Sequence, residues 1–143
     1  DGVDDILIRF AQCCHPVPGD EIIGYITRGR GVTIHRVDCP NLKNVSGEEG
    51  RLINAEWYKT ENDYFPVRIK IISADRKNLV SDVSMVLSNY KASIKNINGS
   101  ANENGIAFLS LTIEVSNLDH LKEIITRLKS LKAIKEVKRI EGE

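Results

Sequence analysis

Gly105-Ile106-Ala107-Phe108-Leu109-Ser110-Leu111-Thr112-Ile113-Glu114-Val115 carries apolar side chains at Ile106, Phe108, Leu109, Leu111, Ile113 and Val115. Period-two alternation over so long a run predicts a strand with one face against a core. On its C-terminal side, Asn117 to Leu131 is amphipathic, with Leu118, Leu121, Ile124, Ile125 and Leu128 on one helical face. Asp119 stands near the start of that helix and Lys129 and Lys132 near its end, which complements the helix dipole. Ile134, Val137 and Ile140 then close with a strand. On the N-terminal side, Ala92 to Ile97 predicts a strand of weak alternation, ended by the loop signal Asn98-Gly99. Asn78 to Tyr90 predicts a helix that buries Leu79, Val83, Val86, Leu87 and Tyr90 and turns Ser81 and Asp82 outward. Phe65 to Ser73 alternates Phe65, Val67, Ile69 and Ile71 with Arg68, Lys70 and Ile72, again a strand. The order is β-α-β-β-α-β. It predicts a ferredoxin-like α+β unit, one antiparallel sheet with both helices on one face. Fold alone assigns no activity.

Residues 1–62 have a different texture, rich in Gly, Pro and turn signals, and they hold all three cysteines and the one Trp. Acidic residues outnumber basic ones here. Ile6, Ile8 and Phe10 alternate as a strand. Cys13 to Asp20 cannot be helix, because Pro16 and Pro18 each remove a donor and restrict the residue before them. Ile22, Ile23, Tyr25 and Ile26 predict a second strand and Gly31 to Arg36 a third, joined by a hairpin-like Thr27-Arg28-Gly29-Arg30. Cys39-Pro40-Asn41-Leu42 opens a short helix, with Pro40 in its first turn. Leu52 to Tyr58 alternates as a further strand. The polar stretch Lys59 to Asp63 serves as the join, so the expected domains are 1–62, a small α+β unit, and 63–143.

The chain has 143 residues, 41% hydrophobic and 28% charged, with zero formal net charge. These values allow folded cores and exclude a molecule that is a cationic clamp as a whole; any nucleic-acid contact must come from a local patch. No apolar run approaches the roughly 20 residues that cross a bilayer. Asp1 to Asp5 is acidic and unlike a signal peptide. Three cysteines, two of them adjacent, make a poor disulfide framework, and a reducing cytoplasm is the expected compartment.

Ala11-Gln12-Cys13-Cys14-His15-Pro16-Val17-Pro18-Gly19-Asp20, followed by Gly24-Tyr25-Ile26-Thr27-Arg28-Gly29-Arg30-Gly31-Val32-Thr33-Ile34-His35-Arg36-Val37-Asp38-Cys39, closely resembles the late region of long RelA/SpoT homologues. That region is the ribosome-intersubunit (RIS), or zinc-finger-like, domain. The second segment resembles the ACT domain that follows it in the family, through its pattern and through Asp75-Arg76-Lys77-Asn78-Leu79-Val80. The resemblance implies a parent that transfers pyrophosphate from ATP to GTP or GDP, a GTP pyrophosphokinase, often with a manganese-dependent (p)ppGpp hydrolase. Those catalytic domains precede this region in the family, and no hydrolase-type His-Asp pair or synthetase signature occurs here. The chain is expected to carry no catalytic residue and to regulate the N-terminal catalytic domains of the stringent-response enzyme.

Three sets of residues carry candidate chemistry. Three thiolates and an imidazole at Cys13, Cys14, His35 and Cys39 suit tetrahedral zinc. Adjacent cysteines diverge in an extended chain, so joint ligation requires a tight turn. The competing reading is small buried side chains packing a mini-domain. His15 is a substitute ligand, although its place before Pro16 reads rather as a surface position. Arg28, Arg30 and Arg36 flank glycines and offer forks that fit phosphate oxygens; the alternative is a solvated turn. The resemblance favours RNA, because relatives place this domain against ribosomal RNA near the A site and its tRNA.

In ACT domains amino acids bind where the first strand meets the first helix, often at a dimer interface. That implies Asp75, Asn78, Leu79 and Val80, with Asn96 and Asn98 adding side-chain hydrogen bonds; the apolar Leu79 and Val80 near a helix N-terminus suit a branched-chain amino acid as ligand. Asn78 stands where many ACT domains have Gly, and Asp75 is also read as an N-cap. Three roles, not mutually exclusive, follow as expectations: a ribosome-sensing module, an amino-acid-binding allosteric module, and a homodimerisation element acting through exposed ACT strand edges or helix faces.

Overall fold

A computed structural model describes residues 8–27, 31–44, 50–57 and 63–140. The chain runs through β1 (Ile8–Phe10), β2 (Ile22–Thr27), β3 (Gly31–Arg36), a 3-10 turn at Pro40–Asn44 and β4 (Gly50–Asn54). It continues through β5 (Phe65–Ala74), α1 (Leu79–Asn89), β6 (Ser93–Ala101), β7 (Ile106–Val115), α2 (Leu118–Lys129) and β8 (Ile134–Arg139). Two four-stranded sheets result, ordered β1-β3-β2-β4 and β6-β7-β5-β8.

The second sheet is antiparallel throughout, with β5 paired to β7 and β8, and β6 to β7. Alternation decides its two faces. Val67, Ile69 and Ile71 of β5 and Ala107, Leu109, Leu111, Ile113 and Val115 of β7 are buried; their neighbours of opposite parity are half-buried, or exposed at Pro66. Leu79, Val83 and Leu87 of α1 and Leu121, Ile124 and Leu128 of α2 recur at three- and four-residue spacing and close the same core. Both helices therefore cover one face, as the sequence order predicts, and the other face is open.

The first sheet is mixed. β2 pairs antiparallel with β3 and β4, and β1 runs parallel to β3. Ile6 and Tyr58, assigned to strands by alternation, lie outside the described residues, and β4 ends at Asn54.

Two further sequence expectations change. β6 runs through Asn98-Gly99 to Ala101, where a loop was expected, because Asn98 and Gly99 stay in register with Ser110 and Leu109. A Cβ on Gly99 would sit 2.8 Å from Leu109 Cδ2, so the glycine admits close packing and marks no turn. Asp75 does not cap α1. The N-cap is Asn78, in the left-handed region at φ 66°, with no side-chain cap bond, and the Asp75 N–H donates to the Gly105 carbonyl at 2.8 Å.

The two sheets meet. The loop Pro16–Asp20 reaches from the first to the second, and Val17, fully buried, belongs to the core of the second. The Leu118 N–H at the start of α2 donates to the Pro18 carbonyl at 2.7 Å. Phe10 stacks on Trp57 with centroids 5.5 Å apart, and Phe65 meets both edge-on. Trp57 Nε1–H donates to the Asp20 carbonyl at 3.0 Å.

Candidate metal centre

A tight turn gathers the adjacent cysteines. The Ala11 N–H donates to the Ile34 carbonyl at 2.9 Å, which fixes the chain leaving β1 to β3. Four residues on, the His15 N–H donates back to the Ala11 carbonyl at 3.0 Å. Within that turn the two thiols do not diverge, because the chain has left the extended conformation; His15 itself sits at φ 45°. His35 comes from β3 and Cys39 from the turn before the 3-10 segment, where the Cys39 N–H donates to the Arg36 carbonyl.

The ligand atoms of Cys13, Cys14, His35 and Cys39 all lie within 4.8 Å of one another. Cys13 Sγ is 3.4 Å from Cys39 Sγ and 3.5 Å from His35 Nδ1, and Cys14 Sγ is 3.9 Å from the same nitrogen. Zn–S bonds of about 2.3 Å give tetrahedron edges of about 3.7 Å, so this spacing fits a single ion with little movement. The Arg36 backbone N–H donates to Cys14 Sγ at 3.3 Å, a bond that favours the thiolate. Burial works the other way. It pushes the Cys14 thiol far up, with neighbouring thiols adding to the effect, and it pushes Cys39 up as well. Burial also pushes His35 down, which leaves a neutral imidazole able to ligate. The two buried thiols, Cys14 and Cys39, stay protonated until a cation offsets the cost of their charge. The donor set suits zinc.

The remaining expected site residues are dispersed. Arg36 does not offer its guanidinium to the surface: its side chain is 11% exposed, and Nε pairs with Asp38 Oδ1 at 2.9 Å. The parity of β3 causes this, since Val32, Ile34 and Arg36 share the buried side. Arg28 and Arg30 lie outside the described residues. His15 is half-buried, and burial together with Arg68 and Arg139 pushes its pKa down; it is not among the four clustered ligands.

A cleft of about 420 Å³ opens at the start of α1, lined among others by Asp75, Asn78, Leu79 and Val80. Asn96 and Asn98 do not line it. They pair with Thr112 and Ser110 on the open face of the sheet, and Asn98 Nδ2 donates to Asn96 Oδ1 at 3.2 Å. Arg76, a cation at this cleft, is committed to Asp82 at 2.9 Å and to the Lys132 and Lys77 carbonyls.

Sequence reasoning missed one polar cluster. Arg139 Nη1 and Nη2 donate to the Asp20 carboxylate at 3.0 and 2.8 Å, and Nη2 also donates to the His15 carbonyl at 2.8 Å. Residues so distant in sequence give no local pattern. The available signal was Val17 between two prolines, an apolar side chain in a loop that cannot join a helix or a sheet interior.

Known families match along the chain. The RelA/SpoT RIS domain matches residues 1–58 and the ACT domain residues 61–139. A GTP pyrophosphokinase of Streptomyces coelicolor is 36% identical over 97% of this chain, which covers 16% of that protein. One of Haemophilus influenzae is 35% identical over 98% of this chain and is covered over 19% of its length. The chain thus spans less than a fifth of the length of these relatives. The crystal structure of the ACT domain from the Chlorobium tepidum GTP pyrophosphokinase is 26% identical, with a TM-score of 0.49 over 55% of this chain and 100% of that one.

Proposed function

Since the chain belongs to the ACT-domain family, here preceded by a RelA/SpoT RIS domain, we propose that it is the regulatory C-terminal region of a (p)ppGpp synthetase/hydrolase. One observation carries this reading: the RIS and ACT matches follow one another along nearly the whole chain, and relatives aligned over 97% and 98% of it bear the name GTP pyrophosphokinase. What the chain carries is a RIS and an ACT domain, not a catalytic one. Its role is to pass the state of the ribosome to catalytic domains in the same polypeptide. No helix among the described residues is long and apolar enough to cross a membrane. The test is the parent enzyme with and without this region, assayed for (p)ppGpp synthesis with and without ribosomes carrying deacylated tRNA. Loss of the ribosome response with basal synthesis retained supports the reading; an unchanged response overturns it.

In the first domain, Cys13, Cys14, His35 and Cys39 hold one zinc ion that fixes the turn. Bound zinc supplies charge neutralisation and crosslinking, with no chemistry on a substrate. Elemental analysis of protein prepared without chelator should give about one equivalent; far less, with folding indifferent to chelator, overturns it. Arg28 and Arg30 supply the phosphate contacts, each adding roughly one unit to the salt slope of ribosome binding. A double alanine variant with unaltered affinity and slope removes that role.

A second reading rests on the cleft at the start of α1, where backbone N–H groups and the apolar Leu79 and Val80 suit the carboxylate and side chain of valine, leucine or isoleucine. Calorimetry that shows no heat at millimolar amino acid removes it.

A further inference from the structure

The turn that presents Cys13 and Cys14 is held from two sides. On one side the Ala11 N–H is tied to the Ile34 carbonyl of β3, inside the RIS domain. On the other, the chain passes straight from Cys14 into a segment with four anchors in the ACT domain, beside the bond that Trp57 of the first domain makes to the Asp20 carbonyl. The His15 carbonyl accepts from Arg139 Nη2 at 2.8 Å. Val17 is fully buried in the ACT core. The Pro18 carbonyl accepts from the Leu118 N–H at 2.7 Å. The Asp20 carboxylate receives both terminal nitrogens of Arg139, and also the Val17 N–H at 2.8 Å.

Three features make this segment stiff. Pro16 and Pro18 fix their own φ and restrict the residues before them. His15 sits at φ 45°, which a β-carbon-bearing residue holds only when its surroundings impose it. Gly19, at φ 107°, lies so close to α2 that a Cβ there would be 2.7 Å from Leu118 Cβ. A stiff segment anchored in one domain and beginning at two metal-ligand positions of the other transmits displacement in both directions.

We propose that Arg139 and Asp20 are positioning residues for the Cys13/Cys14/His35/Cys39 pocket, so that metal occupancy of the RIS domain and docking of the ACT domain form one coupled equilibrium. This rests on the metal reading above. Release of the Arg139 clamp lets His15 leave its left-handed conformation. The turn then relaxes toward extended chain, and the adjacent thiols diverge. A four-ligand pocket falls to three. Linkage makes the effect reciprocal: whatever factor docking adds to metal affinity, metal adds to docking. A ligand or a ribosome that pulls the ACT domain away thereby loosens the metal, and removal of metal loosens the ACT domain.

The experiment uses the full 143-residue chain with Co²⁺ as the probe, in three forms: wild type, Arg139→Met and Arg139→Lys. Outer-shell partners of metal ligands are worth about 10–100-fold in affinity. Arg139→Met should lose a factor in that range and shift the visible Co²⁺ bands. Arg139→Lys, which keeps the charge but not the fork, should fall between. Exchange of the Leu118 amide should slow on metal binding in the wild type and not in Arg139→Met. Should Arg139→Met fail to fold, Asp20→Asn removes the carboxylate charge with the same shape, and the wild-type amide measurement needs no variant. A folded Arg139→Met with wild-type Co²⁺ affinity and spectrum overturns the coupling alone. So does a Leu118 amide indifferent to metal. Absence of any tetrahedral Co²⁺ band in the wild type overturns the metal reading and the coupling with it.

Discussion

At Gly19 backbone strain and close contact coincide. Its φ of 107° is one that L side chains rarely adopt, and an added Cβ would meet Leu118 Cβ at 2.7 Å. Gly105 shares the positive φ, at 80°, but has nothing within 4 Å. The pair separates the two costs. Gly105→Ala should cost about 1–2 kcal/mol from strain alone, and Gly19→Ala about 2–4 kcal/mol, because Leu118 must also shift. Urea unfolding of both variants checks this; equal losses would show that the Leu118 contact costs nothing. The thiols set a pH dependence at the same scale. Folding raises Cys14 and Cys39, mainly by burial. The stability that these two thiols contribute to metal-free protein is therefore fully present below the ordinary thiol value of 9.0 and is lost as pH rises from there toward the folded values. Metal binding follows the opposite course. Each ion displaces protons from raised thiols, while His35, held low by burial, is already neutral at pH 7. Zinc affinity should therefore climb steeply from pH 6 to pH 8, as a competition titration against a chelator will read. A flat profile would mean that the thiols are not the ligands.

The two helices show at the element scale what a local signal can and cannot carry. α2 has a side-chain cap: Asn117 Oδ1 accepts from the His120 N–H at 2.8 Å. Asn117→Ala should cost about 1 kcal/mol, measured by thermal unfolding, and Asn117→Asp should lose almost none of it. The helix and its neighbouring strands were legible because each buries one face, so period 3.6 or period 2 appears directly in the residues. Edge strand β6 was harder. It is exposed along nearly its whole length, so it needs no alternation, and its Asn98-Gly99 reads as a turn until β7 pairs with it. The start of α1 was misread for a related reason. Asp75 has the chemistry of a cap, but tertiary pairing takes its N–H to Gly105 and leaves Asn78 to turn the chain by a left-handed conformation. The metal-ligand candidates could be chosen from residue type alone, since no other group of soft ligands occurs in the sequence. What spacing could not give was the turn at Ala11–His15 that lets adjacent cysteines face one point. Arg36 failed as a surface residue because strand parity, invisible until register is known, turns it inward.

For the whole molecule, the decisive question is whether two sheets with separate family matches behave as one body. Val17 sits in the loop of one domain and the core of the other, and the Asp20–Arg139 pair, with side chains 9% and 15% exposed, lies beside it. A carboxylate and a guanidinium so sheltered are held by a bidentate geometry, and separating the domains would expose the apolar face that Val17 covers. The chain also supplies two independent reporters. Its one Trp, Trp57, stands in the first segment, whereas both α-helices among the described residues, α1 and α2, belong to the second. In wild-type protein, Trp fluorescence and helical circular dichroism should therefore follow one denaturation curve with one midpoint. Val17→Ala removes two methyl groups' worth of burial, about 2 kcal/mol by area and cavity terms together, and should lower both curves equally. Val17→Asp buries an unpaired charge in the core of the second domain and cannot dock. It should split the curves, with the Trp57 signal lost at lower denaturant while the helical signal persists. If the wild-type curves already separate, the two domains are only tethered, and the contacts at Pro18, Asp20 and Arg139 contribute nothing to cooperativity.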